Sequence, residues 1–283
     1  MKFAIIGARG MLGTDFCTFL KYNNIVPIEW DLPEMDITNI NQTIKQIVNA
    51  KPDIIFHFAA FTDVDEAEKN KSLAYSVNTL GTWAIAIAAK ELKAKLLYMS
   101  TDYVFDGTKE SAYLESDTPN PINYYGQTKF LGEKTIKEHL KKYFIVRTSW
   151  LFGKHGKNFV TTILNLAKEQ ECIEVVSDQI GCPTYTRDLC EPLLKIANSE
   201  HYGIYHLTNS GETSWYKFAQ TIIKEENLIN QIIPITSDKI SRLAKRPANS
   251  VLENRNYQYF FKDSLRPWEL ALKDFLLELK IKK

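Results

Sequence analysis

The apolar run Phe3-Ala4-Ile5-Ile6 breaks at once into Gly7-Ala8-Arg9-Gly10-Met11-Leu12-Gly13, and from Leu12 onward apolar residues recur at three- and four-residue spacing. A strand feeding a G-x-x-G-x-x-G loop that opens a helix restricts the chain to very few folds. Missing side chains let the backbone turn tightly and approach a ligand. The helix N-terminus behind the loop offers free N–H groups and the positive end of its dipole. In this context the loop is expected to hold the pyrophosphate of a dinucleotide. Its contacts would be Gly7, Arg9, Gly10, Met11, Leu12 and Gly13.

The same alternation continues beyond the loop. Strands are predicted at Phe3–Ile6, Val26–Glu29, Ile54–His57, Leu96–Met99 and Phe144–Val146, with helices near Leu12–Tyr22, Ile40–Asn49, Leu73–Leu92 and Tyr125–Lys141. This is the pattern of βαβ units on a parallel sheet. The expected fold class is therefore α/β, a doubly wound parallel sheet of the Rossmann type. Past Gly153 the pattern loosens. A helix near Phe159–Lys168, a strand near Ile173–Val175 and helices near Asp188–Asn198, Trp215–Glu226 and Pro267–Lys280 are separated by pieces such as Gly181-Cys182-Pro183 and Lys245-Arg246-Pro247. Residues 1–153 are expected to form the dinucleotide domain. Residues 154–283 would form a smaller C-terminal substrate-binding lobe, interleaved with it, that closes the crevice beyond the carboxyl ends of the strands.

Composition excludes several function classes. With 283 residues, 45% of them hydrophobic and 24% charged, the chain can bury a substantial core. The net charge is +1 and the basic residues are dispersed, apart from Lys280, Lys282 and Lys283, so a nucleic-acid partner is not expected. The start at Met1-Lys2-Phe3 has too short an apolar run for a signal peptide, and nothing reaches the roughly 18 apolar residues that cross a bilayer. No membrane partner is expected. Cys17, Cys172, Cys182 and Cys190 match neither a zinc site nor a disulfide framework, which fits a reducing, cytoplasmic compartment.

Further residues attach to the cofactor site. Asp31 follows the second strand, where an acid bonds a ribose hydroxyl and favours NAD, whereas Arg9 could meet a 2′-phosphate and favour NADP. NADH and NADPH both stay open. Asp36-Ile37 reads as an adenine-contacting pair or as a loop cap. In His57-Phe58-Ala59-Ala60-Phe61-Thr62 the small Ala59 and Ala60 let the ribose or nicotinamide half lie against the backbone, while His57 reads as a packed histidine.

The chemistry is carried by Ser100-Thr101 at the end of the fourth strand and Tyr125-Gly126-Gln127-Thr128-Lys129 at the start of the next helix. Residues four apart share a helix face, so the Lys129 ammonium is expected beside the Tyr125 phenol. A phenol has an ordinary pKa near 10, and a neighbouring cation is expected to lower it toward neutrality, where a proton donor and acceptor works best. Thr101 would hold a carbonyl oxygen, Tyr125 would protonate it as hydride arrives, and Lys129 would also bond the nicotinamide ribose. The expected activity is a nicotinamide-dependent carbonyl oxidoreductase with Thr101, Tyr125 and Lys129 as its catalytic residues.

The glycine loop, the strand-end Ser-Thr and the Tyr-x-x-x-Lys, in this order, resemble the extended short-chain dehydrogenase/reductase family, whose members mostly act on nucleotide-activated sugars. More segments carry the resemblance: Ser100-Thr101-Asp102-Tyr103-Val104-Phe105-Asp106-Gly107, Tyr124 to Lys129 with Gly132-Glu133, Arg147-Thr148-Ser149-Trp150, Asp178 to Thr184, and Arg246-Pro247-Ala248-Asn249-Ser250. They are similar to the dTDP-4-dehydrorhamnose reductase branch over nearly the whole chain. The resemblance implies NAD(P)H-dependent reduction of the 4-keto group of dTDP-4-dehydro-β-L-rhamnose, hence a dTDP-sugar substrate. It also implies Thr62, Val64, Tyr103 and Trp150 as substrate neighbours. The flat rings of Tyr103 and Trp150 suit a sugar or thymine face, or pack beneath the lobe. Some members of the branch form a homodimer through magnesium held by acidic residues. Here Asp15 stands where such members carry a glutamate, and no other ligand is matched, so the resemblance leaves both Mg2+ and the homodimer open.

Asp102 is followed by Tyr103, where sugar-nucleotide 4,6-dehydratases carry an Asp-Glu pair. Without the second carboxyl group, elimination of water lacks its base, and plain hydride transfer is the better reading. The same position speaks less strongly against 4-epimerases. Two alternatives stay open: a reductase of another 4-keto-6-deoxy sugar nucleotide, and a non-catalytic regulatory subunit, since the beta subunit of methionine adenosyltransferase resembles this same family.

Overall fold

Residues 1–281 are described by a computed structural model. Lys282 and Lys283 of the basic carboxyl end lie outside the described residues. The first half contains β1 (Phe3–Ile6), α1 (Met11–Tyr22), β2 (Ile28–Trp30), α2 (Ile40–Ala50), β3 (Ile54–His57), α3 (Val64–Lys69), α4 (Lys71–Tyr75), α5 (Thr82–Leu92), β4 (Lys95–Thr101), α6 (Tyr124–His139) and β5 (Tyr143–Thr148). The second contains β6 (Leu151–Phe152), α7 (Phe159–Glu169), β7 (Cys172–Val176), β8 (Ile180–Gly181), β9 (Thr184–Tyr185), α8 (Thr186–Asn198), β10 (Gly203–His206), β11 (Thr213–Ser214), α9 (Trp215–Glu225), β12 (Gln231–Ile235), α10 (Arg255–Phe261) and α11 (Trp268–Lys280).

Six parallel strands form the main sheet in the order β10-β5-β4-β3-β1-β2. The winding reverses beside β1, which places a crevice at the carboxyl ends of β1 and β3. Both β1 and β3 are buried along their whole length, so they read as unbroken apolar runs, as strands covered on both faces do. Alternate residues serve the two layers. Ile5, Phe56 and Leu97 pack with Phe16 and Leu20 of α1 and Leu193 of α8. Ile6, Ile55 and Leu96 pack with Ile47 of α2, Ile85 of α5 and Ile136 of α6. A separate core joins Val160, Phe218, Trp268 and Phe275 of the C-terminal half.

The chain is not cut cleanly at residue 153. Helix α8 covers the sheet and β10 completes it, so residues 186–206 return to the first layer. Nothing in Gly203-Ile204-Tyr205-His206 alternates strongly enough to announce an edge strand. Strand β2 begins two residues later than expected, because Pro27 has no N–H to donate and Val26 is largely exposed. The helix expected over residues 73–92 is interrupted by a π-helical segment, Ser76–Gly81, which presses Gly81 onto Ile37, where a Cβ would lie 2.9 Å from the Ile37 side chain.

Candidate active site

The carboxyl ends of β1, β3, β4 and β5 open into a cleft of about 960 Å³. Every expected cofactor, catalytic and substrate residue lines it, from Gly7 and Arg9 to Tyr125, Lys129 and Trp150. His57 does not. It is wholly buried, with Nε2 3.0 Å from Thr82 Oγ1 and its pKa held well down by burial, as a packed histidine should be.

Gly7 has φ +90°, and a Cβ there would lie 2.4 Å from the Ala59 nitrogen. Only glycine can hold that turn while β3 passes so close. The Gly7 and Ala8 N–H groups donate to the Trp30 carbonyl at 2.9 and 3.1 Å, which ties the loop to β2. No side chain caps α1, whose first turn, Met11, Leu12 and Gly13, borders the cleft. Ala59 and Ala60 line the facing wall with almost no side-chain bulk.

Arg9 and Asp31 are less opposed than the sequence suggests. Asp31 accepts the Arg9 N–H and the Leu32 N–H, each at 2.8 Å, so this carboxylate shapes the rim. The Arg9 guanidinium lies on Glu34, Nη2 to Oε1 2.5 Å, and also donates to the Leu32 carbonyl. Asp36 accepts the Thr38 N–H and hydroxyl at 2.9 and 2.7 Å, the loop-capping arrangement, and still borders the cleft beside Ile37.

Helix α6 starts where Asn123 accepts the Gly126 N–H at 2.8 Å. A Cβ on Gly126 would lie 2.0 Å from the Tyr103 carbonyl oxygen, and this close approach brings the Tyr125 turn against Thr101 and Tyr103. The Tyr103 and Tyr125 rings meet edge to face with centroids 5.9 Å apart. Lys129 is buried. Its Nζ donates to the Met99 carbonyl at 2.7 Å and sits 4.1 Å above the centre of the Tyr98 ring. Burial lowers its pKa to about 7, against the pull of Glu133.

One expectation fails here. Tyr125 is not drawn toward neutrality by Lys129; burial pushes the phenol above its ordinary 10, and only the Thr101 hydroxyl pulls it back. The ammonium is hydrogen-bonded to Met99 and to no phenol, so desolvation outweighs the cation. A phenol that stays protonated is nonetheless the form a proton donor needs.

Tyr103 borders the cleft with its pKa raised by burial to about 12. Thr62 is exposed at the rim and Val64 opens α3 on the same wall. Trp150 has φ +48° and stacks on Trp215 with ring centroids 3.4 Å apart. Gly181 makes room for it, since a Cβ there would lie 2.4 Å from the indole. Trp215 is a wall residue that no motif in the sequence marks. It opens α9, 65 positions after Trp150, and no local pattern joins the two.

The residues around Asp15 do not fit magnesium. Mg2+ takes a shell of oxygen ligands, whereas Asp15 is met by the Thr186 hydroxyl, by His155 at 3.7 Å and by Arg187 at 3.8 Å. The Arg187 guanidinium also pairs with Glu278, and Tyr185 donates to the same carboxylate at 2.5 Å. A protein cation already stands between the two acids.

A family model described as the RmlD substrate binding domain matches residues 1–281. The chain belongs to that family. The dTDP-4-dehydrorhamnose reductase of Aggregatibacter actinomycetemcomitans is 40% identical over 289 aligned residues, covering 96% of this chain and 97% of that protein. Two solved members superpose closely. The dTDP-4-dehydrorhamnose reductase of Clostridium acetobutylicum is 40% identical with a TM-score of 0.97, over 99% of this chain and 100% of that one. That of Bacillus anthracis, in complex with NADP, is 41% identical with a TM-score of 0.95, over 98% and 100%. The family's doubly wound parallel sheet is thus the architecture built here from β1 to β5 and β10.

Proposed function

We propose that the chain reduces the 4-keto group of dTDP-4-dehydro-β-L-rhamnose to give dTDP-L-rhamnose, using NADPH or NADH. The observation that carries this reading is the convergence of Thr101, Tyr125 and Lys129 on a cleft that the Gly7–Gly13 loop also lines. The full-length likeness to dTDP-4-dehydrorhamnose reductases supports the substrate, and the NADP complex of one of them supports the cofactor.

The residues fit a dinucleotide. The uncapped first turn of α1 and the glycine loop would hold its pyrophosphate, Asp31 or Arg9 its adenosine ribose end, and Ala59 and Ala60 its nicotinamide half. When bound, the cofactor supplies hydride. Thr101 holds the carbonyl oxygen, and Tyr125 gives it a proton. Lys129 bonds the ribose, and its charge favours the tyrosinate left behind. Thr62, Val64, Tyr103 and Trp150 line the same cleft and would surround the sugar nucleotide.

Consumption of NADPH or NADH with dTDP-4-dehydrorhamnose tests the reading, and NMR of the product distinguishes rhamnose from another 6-deoxy sugar. Absence of turnover by the wild type, with nucleotide binding intact, would favour the regulatory-subunit alternative. Tyr125→Phe should lose most of the turnover and keep its cofactor affinity, because only the phenolic proton is gone.

A further inference from the structure

Thr101 has one proton and more than one claim on it. Its Oγ1 accepts the Tyr103 N–H at 3.2 Å and lies 2.9 Å from Asp102 Oδ1, and the hydroxyl also pulls the Tyr125 pKa down. A hydroxyl offers one donor and two lone pairs. If Asp102 is ionised it can only accept, so the Thr101 proton is committed to Oδ1. A ligand carbonyl oxygen would then meet the hydroxyl lone pair against lone pair. If Asp102 is protonated on Oδ1, it donates instead. The two Thr101 lone pairs are then filled by Asp102 and the Tyr103 N–H, and the Thr101 proton is turned to the cleft, where the Tyr125 oxygen and a ligand carbonyl oxygen are its acceptors.

The surroundings of Asp102 distinguish these two states. Only 2% of the residue is exposed, and its Oδ2 has no hydrogen-bond partner. The Ser250 and Thr101 hydroxyls and the N–H groups of Asp102 and Tyr103 favour the charged form, and burial outweighs them. A buried carboxylate with one oxygen unsatisfied is costly, and the neutral acid removes much of that cost. The other titratable groups facing it are Tyr103 on its own turn, Tyr125 of α6 and Cys182 between β8 and β9. Arg242 and Arg246 stand beyond the Tyr103 ring and act on that phenol. Burial raises the Asp102 carboxyl to about 7.

We propose that Asp102 works as a neutral carboxylic acid that sets the hydrogen-bond polarity of Thr101, so that Thr101 donates to the carbonyl oxygen being reduced. The proposal rests on the reductase reading above. Asp102 is a positioning residue: it reaches the reacting oxygen only through Thr101. The effect is large enough to matter, because a donor aimed at developing oxyanion charge contributes on the order of 10²–10³ in rate. Asp102 keeps its proton throughout, so hydride and the Tyr125 proton still balance the reaction.

The test compares kcat of the wild type and Asp102→Asn with dTDP-4-dehydrorhamnose and saturating NADPH, from about pH 6 to about pH 8. The carboxamide N–H donates to Thr101 as the neutral acid does, and it does not titrate. A group titrating at about 7 is roughly nine-tenths ionised one pH unit higher. The ratio of kcat at pH 8 to kcat at pH 6 should therefore be about tenfold higher in Asp102→Asn than in the wild type. Lys129 titrates in both proteins and cancels from the comparison. Equal ratios overturn the proposal. Infrared difference spectra of the wild type should also show a carboxylic-acid C=O band at neutral pH that Asp102→Asn lacks; its absence from the folded wild type overturns the proposal as well. Failure of the wild type to turn over would instead overturn the reductase reading, and the infrared band would still test Asp102.

Discussion

Replacing Arg147 with Met tests how α6, the helix that carries Tyr125 and Lys129, is fastened to the sheet. Arg147 of β5 is 1% exposed and Glu133 of α6 is fully buried. The guanidinium donates through Nε and Nη2 to the two Glu133 oxygens at 2.9 and 2.7 Å, and Ser100 Oγ adds a third donor at 2.6 Å. Methionine fills comparable space but leaves the Glu133 carboxylate with one hydroxyl in a place that water does not reach. Breaking one side of a buried pair costs about 3–5 kcal/mol, a large share of a total stability of about 5–15 kcal/mol. At roughly 2–4 °C per kcal/mol, Tm should fall by roughly 6–20 °C. Arg147→Met combined with Glu133→Met removes the stranded charge. Apolar replacement of a whole buried pair is often neutral or better, and relative to Arg147→Met alone, which already leaves His206 Nε2 without its Arg147 contact, only Ser100 loses a further partner, at about 1–3 kcal/mol. The double variant should therefore be more stable than Arg147→Met alone. Urea unfolding of the wild type, both single variants and the double variant closes the cycle. A loss below about 1 kcal/mol in Arg147→Met, or a double variant equal to the sum of the singles, would refute the coupling argued here.

Other expectations follow from the cleft walls. Gly13→Ala places a Cβ 2.0 Å from the Gly7 carbonyl oxygen and 2.9 Å from the Ala8 backbone. The loop or α1 must shift, and overpacking of about 1–3 kcal/mol should weaken NADPH binding roughly fivefold or more by calorimetry; unchanged affinity would separate the loop from the cofactor. Glu34→Ala releases Arg9 from its exposed ion pair, and should move the NADH-to-NADPH ratio of Kd values about two- to fivefold toward NADPH, the range such a pair is worth. No shift would remove Arg9 from phosphate recognition. Trp215→Ala takes away the ring that backs Trp150, and a stacked pair contributes about 0.5–1.5 kcal/mol. The substrate KM should rise roughly two- to tenfold with kcat less affected, and an unchanged KM would leave Trp150 self-supporting.

What was legible in the sequence is what adjacent residues determine. Gly7 to Gly13 specify a turn and a helix start within seven positions, and Tyr125 and Lys129 share a helix face by spacing alone, so both motifs reach the cleft as expected. Trp215 was not legible, because it meets Trp150 only where the start of α9 reaches the turn between β5 and β6. Strand β10 was missed because its four residues gain their partner from β5, nearly 60 positions earlier, and not from their own pattern.

The direction of the Tyr125 shift was misjudged for a related reason. Spacing shows that a lysine is near, but it does not show how much water the surrounding walls exclude. That exclusion acts on several groups at once: it raises Tyr125, lowers Lys129 and raises Asp102, each toward its uncharged form. The ligand-free cleft is therefore biased toward uncharged groups, with Tyr125 protonated and Lys129 and Asp102 both titrating near neutrality. Of the three, only Tyr125 is held clear of neutrality, so its phenol keeps the proton that a ligand oxygen would take.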